Sequence, residues 1–263
     1  MIRDADLALA AALADAAGAA IRPHYRALAG VEAKADASPV TVADRAAEAA
    51  MRALLAEHAP ADGVIGEEYG EDRPDASRVW VLDPIDGTRS FVAGRPIFGT
   101  LIALVEAGVP VVGVIDQCIT GDRWVGAEGR PTTLDGCTVS TRRCSGLAHA
   151  HFATSSPHYF SAADFAAFER ARGTAGERTS SAGEAIYGGD CYNYGLLASG
   201  HLDVVIEAGL KLYDWAALVP IVAGAGGAIA DWQGRPLSRG SDGGVVAVGD
   251  PALLPAALAA LAG

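Results

Sequence analysis

Basic residues are scarce in this chain of 263 residues: 20 Lys and Arg stand against 32 Asp and Glu, a formal net charge of −12. A nucleic-acid partner needs clustered cations to displace counterions, so the composition argues against one and favours cations as partners. Sulfur is scarce too. The four cysteines, Cys118, Cys137, Cys144 and Cys191, form no Cys-x-x-Cys pair, which argues against a disulfide framework or a zinc knuckle and suits reduced thiols in a cytoplasmic protein. The apolar run from Trp215 to Ala230 carries no charge, but Pro220 and several glycines break it and it is too short to cross a bilayer. At the N-terminus Asp4, Asp6 and Asp15 interrupt the segment where a secretory leader would begin basic and continue apolar, so neither export nor a membrane partner is expected.

What is abundant is small and apolar. Hydrophobic residues make up 51% of the chain, and much of that share is alanine, which suits packed helices. The length allows one large domain or two lobes. Amphipathic helices are expected over 4–28 and 41–58, the second opening on Thr41-Val-Ala-Asp44 in the manner of a capping box. The polar VEAKADASP between them reads as a hairpin or loop. Strands follow at 63–68, 78–83, 99–106 and 109–116, the last two joined by Ala107-Gly108 as an antiparallel hairpin.

In the second half, strands at 149–156, 202–209, 227–234 and 244–249 alternate with helices at 161–172, 190–200, 213–226 and 252–262, the third kinked or started near Pro220. This order predicts an α/β architecture: an α+β N-terminal lobe over 1–140 and an α/β C-terminal lobe over 141–263. The glycine-rich, polar stretch 126–146 is the expected seam.

The run VWVLDPIDGT, residues 79–88, concentrates chemistry. A buried strand ending on Asp83 sets a carboxylate at the carboxyl edge of a sheet, where ligand sites of α/β folds gather. Pro84 is expected to end the ladder. The turn can then aim the carboxylates of Asp83 and Asp86 and the Ile85 carbonyl into one volume, and hard oxygens of this kind suit Mg²⁺. Gly87 and Thr88 open a helix whose free N–H groups favour a phosphate. Asp-Pro-x-Asp-Gly is also ordinary turn chemistry. Glu67, at another strand end, and Asp214, at a helix start where it could serve as a cap, are the further acids that could join the cluster.

Taken together, GEE at 66–68, DPIDGT at 83–88 and YDWAALVPIVAGAGGAI at 213–229 resemble the signatures of the inositol monophosphatase superfamily of Mg²⁺-dependent phosphatases. The likeness runs from about Lys34 to Gly234. It implies a layered αβαβα sandwich of the inositol monophosphatase type, binding two to three Mg²⁺ ions. Glu67, Asp83 and the Ile85 carbonyl would hold one ion and Asp83, Asp86 and Asp214 a second, with a weaker third near Glu67. By the same resemblance Gly87 and Thr88 bind the phosphate, Thr88 with Glu67 orients and deprotonates the attacking water, and Asp44 in SPVTVAD supports Thr88. A homodimer and sensitivity to lithium are implied as well. The haloacid-dehalogenase type of phosphatase, with one residue between its two aspartates, fits less well, because two residues separate Asp83 from Asp86.

Beyond the metal signature, RSFVAG at 89–94 and GGDCYNYGLLASGHLD at 188–203 look like the histidinol-phosphate phosphatase branch. Such a substrate carries an ammonium group and an imidazole, which carboxylates would favour. Asp190, Asn193 and Glu207 are the candidates for that pocket, though Asp190 could equally be an acid offsetting a helix dipole. A phosphatase acting on inositol monophosphate or on 3′-phosphoadenosine nucleotides, and a catalytically silent binding protein on the same scaffold, are the alternative readings. Arg89 is expected to serve solvent or the helix surface more than the substrate, though by resemblance to the histidinol-phosphate branch it could approach the phosphate.

Overall fold

Alanine spacing builds the first layer. In helix α1 (Asp4–Ile21) the buried residues Ala10, Leu13, Ala14, Ala17 and Ile21 recur at helical intervals, and in α2 (Val42–His58) Ala43, Ala47, Met51 and Leu55 do the same. The computed structural model describes residues 3–27, 31–33, 39–173 and 185–263, with backbone alone at 31–33 and 39–41. The expected hairpin between the helices is present as antiparallel β1 (Val31–Ala33) and β2 (Pro39–Thr41). Its connecting residues 34–38, and the Thr41 side chain proposed as a cap, lie outside the described residues.

Helices α1 and α2 pack on an eight-stranded sheet. It is made of β3 (Gly63–Gly66), β4 (Gly70–Asp72), β5 (Arg78–Asp86), β6 (Gly99–Glu106), β7 (Val109–Asp116), β8 (Arg123–Ala127), β9 (Arg130–Leu134) and β10 (Cys137–Thr138). Their spatial order is β10-β9-β8-β7-β6-β5-β3-β4, antiparallel except for β3 with β5. Strand period decides the faces: Trp80 and Leu82 turn toward α1 and α2, while Val79 and Val81 turn into the opposite core. Ala107 and Gly108 take positive φ of 49° and 83°, as a tight hairpin between β6 and β7 requires.

The second core holds helices α5 (Cys191–Ala198), α6 (Leu212–Trp215) and α7 (Leu218–Gly224). Beyond them stands a five-stranded sheet of β11 (Phe152–Thr154), β12 (Ile186–Tyr187), β13 (Val204–Glu207), β14 (Ala228–Asp231) and β15 (Val245–Val248), in the order β12-β11-β13-β15-β14. Val205, Val245 and Ala247 face the central helices. Val204, Ile206, Val246 and Val248 face a last layer of α4 (Ala162–Gly173) and α8 (Leu254–Ala262). The result is an αβαβα stack of the α/β class.

Two expectations are corrected and a third is sharpened. Pro84 does not end the ladder: β5 continues to Asp86, paired with Gly99, through an irregularity in register between Asp83 and Asp86. Proline lacks a donor there, but its carbonyl accepts from Thr100 Oγ1 at 2.8 Å. The stretch 126–146 is not simply a seam, because its first part belongs to strands β8, β9 and β10, which complete the large sheet. The helix over 213–226, expected to kink or start near Pro220, is two helices, with Pro220 in the first turn of α7, where its missing N–H costs nothing.

One packing contact ties the central helices to the large sheet. Gly113 of β7 and Gly126 of β8 face each other in the ladder. A Cβ on Gly113 would meet the Ala217 carbonyl oxygen at 2.0 Å, and one on Gly126 would meet the Ile221 backbone at 2.5 Å. Helix α7 therefore rests its main chain directly on the strands.

Candidate active site

Parallel pairing sets the site's foundation. Gly66 lies opposite Leu82, and the Glu67 N–H donates to the Leu82 carbonyl at 3.2 Å, so Glu67 and Asp83 emerge side by side at the carboxyl edge. Asp83 is 1% exposed, and one of its oxygens accepts the Ile85 N–H at 3.1 Å, closing the turn that carries Asp86. Gly87 follows at φ 86°, a left-handed conformation that suits glycine, and caps α3 (Thr88–Val92). The Thr88 hydroxyl donates to the Ile85 carbonyl at 3.1 Å.

Asp214 arrives from the other half of the chain on α6, where its carboxylate accepts the Lys211 N–H at 2.6 Å. It is thus not the cap residue itself, which is Lys211, but reaches back to that residue from the first turn and is also a member of the cluster. One carboxylate oxygen each from Asp83, Asp86 and Asp214 lie within 4.8 Å of one another. Helix α5 supports the same cluster by donating the Cys191 N–H to Asp86 at 2.5 Å.

Five carboxylates, those of Glu67, Asp86, Asp190, Glu207 and Asp214, line a single cavity of about 320 Å³ with Gly87 and Thr88. Asp83 and Asp44 lie buried near them, each 1% exposed. Burial first, then the charges of Glu67, Asp86, Asp214 and Asp44, push the Asp83 carboxyl well above the usual carboxylate range. Burial and the neighbouring Asp190 and Asp214 do the same to Asp86. Burial raises Asp214 to about 7. A group of acids this close cannot all ionise in a dry site without a countercharge, and a divalent cation held by hard oxygens supplies one. The donor set therefore fits a hard divalent ion.

On the opposite wall, Glu207 accepts from Ser155 N at 2.6 Å, from Ser155 Oγ at 2.7 Å and from Thr154 Oγ1 at 3.2 Å. Burial outweighs these bonds and lifts its carboxyl to about 8. Asp190 is the N-cap of α5 without capping hydrogen bonds, held at φ 44° and ψ −129°, a sparsely populated conformation for a residue with a side chain. Its carboxylate accepts from Ser90 Oγ at 3.4 Å and lies so close over Gly87 that a Cβ there would meet it at 2.6 Å.

Asn193 is a correction, since it is absent from the cavity wall. It is 3% exposed, its side-chain N–H donates to the Gly188 carbonyl at 3.0 Å, and its oxygen lies beneath Gly189. Its side chain braces the turn before Asp190 instead of facing a ligand.

Sequence reading missed Glu48. This fully buried acid accepts from Glu68 N at 2.7 Å and Tyr69 N at 3.2 Å, and from Arg52 Nε at 2.7 Å, so it braces the turn bearing Glu67. A signal was available, because Asp44 and Glu48 fall on the apolar stripe of α2 beside Met51 and Leu55. Tyr159, Ser155 and Tyr194 also line the cavity, and no pattern in sequence marked them.

The five-layer stack and its acidic cleft define a phosphatase class. The chain belongs to the inositol monophosphatase family, whose model matches residues 3–262. It is 49% identical over 226 residues to a bifunctional phosphatase, the chloroplastic IMPL2 of Arabidopsis thaliana, covering 85% of this chain and 63% of that protein's length. Histidinol-phosphatase of Mycobacterium tuberculosis is 38% identical over 232 residues, covering 87% of this chain and 88% of the relative. An inositol monophosphatase from Zymomonas mobilis superposes with a TM-score of 0.89 at 52% identity, covering 98% of each chain.

Proposed function

We propose that the protein is a Mg²⁺-dependent phosphomonoesterase that hydrolyses L-histidinol phosphate to L-histidinol and phosphate. The observation that carries the hydrolase part is the cluster of Asp83, Asp86 and Asp214 within 4.8 Å, next to the Gly87–Thr88 helix start. In this reading Glu67, Asp83, Asp86, Asp214 and the Ile85 carbonyl hold Mg²⁺. A bound magnesium pair supplies Lewis-acid stabilisation of the phosphoryl oxygens and lowers the pKa of water.

The chain's own groups do the rest. Gly87 and Thr88 present N–H groups at a helix start to the phosphate oxygens. Thr88 with Glu67 orients the attacking water and takes its proton, so that its oxygen bonds to phosphorus as the ester oxygen departs. Asp44 and Glu48 keep those groups in place from α2. Glu207 and Asp190 form the acidic wall that receives the leaving group, and their charge suits an ammonium and an imidazole. Two lobes, 1–140 and 141–263, form the cleft between them and share one core, and the molecule is a homodimer in the cytoplasm.

The substrate assignment is supported by the histidinol-phosphatase relative, which aligns over 87% of the chain. A second reading, inositol monophosphate as substrate, is favoured by the 52% identical inositol monophosphatase structure. Parallel phosphate-release assays on histidinol phosphate, inositol 1-phosphate and a 3′-phosphoadenosine nucleotide decide between them. The expected result is the highest kcat/KM for histidinol phosphate, and a preference for either other ester overturns the substrate assignment.

A further inference from the structure

The cavity has five carboxylates on its wall, and among the described residues one cationic side chain, Arg89. A dianionic phosphate ester entering such a site meets net repulsion wherever bound cations do not reach. Arg89 stands one residue beyond Thr88, on the second position of the helix whose start forms the phosphate cradle. Its guanidinium does not extend freely into solvent. The Arg89 guanidinium carbon lies 4.8 Å from the centroid of the Tyr159 ring.

Tyr159 comes from the other half of the chain: it ends a short 3-10 turn, Pro157–Tyr159, just after β11, and lines the same cavity while remaining 43% exposed. The pair therefore spans the mouth of the cavity, one partner from each half of the chain. Arg89 also donates to the Tyr159 hydroxyl, and the ring face adds charge–quadrupole attraction, so the guanidinium is restrained twice while its remaining N–H groups stay available as donors.

We propose that Arg89 is a phosphate-binding residue and that Tyr159, from across the cleft, is the positioning residue that holds its guanidinium at the phosphate cradle. This rests on the phosphomonoesterase reading of the same cavity and is independent of which ester is hydrolysed. An arginine aimed at the phosphate treats all esters alike, whereas one aimed at a leaving group does not.

The test uses the full chain loaded with Mg²⁺ and the variants Arg89→Gln, Tyr159→Phe and Tyr159→Leu. KM and kcat are measured for histidinol phosphate, inositol 1-phosphate and 2-glycerophosphate, with binding of inorganic phosphate measured by calorimetry. Losing a charge-assisted phosphate contact in Arg89→Gln raises KM and weakens phosphate binding by about 10-fold, equally for all three esters, with kcat within about threefold. Tyr159→Leu gives roughly a threefold loss and Tyr159→Phe a smaller one, since Phe keeps the ring face and loses only the hydroxyl that accepts from Arg89. Added salt raises the KM of the unmodified protein more than that of Arg89→Gln.

Unchanged phosphate affinity in Arg89→Gln overturns the proposal, as does an effect confined to one ester. Equal losses in Tyr159→Phe and Tyr159→Leu overturn the part assigned to the ring. If the unmodified protein releases phosphate from no ester, the phosphomonoesterase reading fails instead, and the calorimetric phosphate titration still reports on Arg89.

Discussion

Asp83 sits where the carboxylate cluster, the Ile85 turn, the buried Asp44 and the half-buried Glu67 converge, so its charge is the one whose loss should be felt most widely. Asp83→Asn is expected to lower turnover by at least about 10³-fold and to weaken Mg²⁺ binding in calorimetry, since a coordinating carboxylate is replaced by a neutral amide. Near-normal turnover would remove the metal model. Glu207 makes a different prediction. Its carboxyl is raised by burial from an ordinary 4.5 to about 8. A raised folded pKa contributes stability that is complete below the unfolded value and is lost as pH climbs through the folded one. Ion-free protein should therefore melt at falling temperature between about pH 4.5 and pH 8. Glu207→Gln should flatten that slope in a calorimetric series, and an unchanged slope would show that other groups carry it. At this scale the sequence was informative where chemistry is local: Asp83, Asp86, Gly87 and Thr88 are one turn and could be read as one turn. Asn193 was misread because nothing local tells whether a buried amide faces a ligand or a backbone carbonyl, here that of Gly188.

At the scale of elements, α2 was located closely because it buries one face and shows it in its pattern, and β6 and β7 because strands buried on both faces read as apolar runs, whereas α1 was located at its start but ends at Ile21, short of the expected 28. Strands β8 to β10 were hidden in a polar stretch with several glycines, since they owe their place to pairing with β7 and not to their own hydrophobicity. The facing glycines at 113 and 126 are the clearest case: read singly they weaken a strand, and only the packed helix explains them. Gly113→Ala and Gly126→Ala are each expected to cost about 2–3 kcal/mol in urea unfolding, because the added methyl meets backbone that cannot rotate away. Gly173→Ala, where a methyl would meet nothing within 4 Å, is the matched control and should leave stability within about 0.5 kcal/mol. Equal effects at all three positions would argue against the helix-on-strand contact.

For the whole molecule, the αβαβα order of layers followed from alternating strands and helices, while the way the halves join did not. Helix α7, late in the chain, packs on β7 and β8 of the first sheet, so the two halves are interleaved and no simple cut separates them. Limited proteolysis within 139–151, between the two sheets, should accordingly leave the two fragments associated under native conditions in size-exclusion chromatography. Elution as separate fragments would contradict the shared core.

The paired glycines also act on the spacing of the cluster. Asp83 belongs to the large sheet and Asp214 to the segment that leads into α7, and that helix meets the sheet main chain to main chain. Side chains elsewhere in the core can exchange, swell or shrink over generations and change how firmly the molecule holds together. The gap between the two aspartates is set by a dimension no such exchange alters, much as a gauge block fixes a machinist's setting whatever the clamp around it is made of.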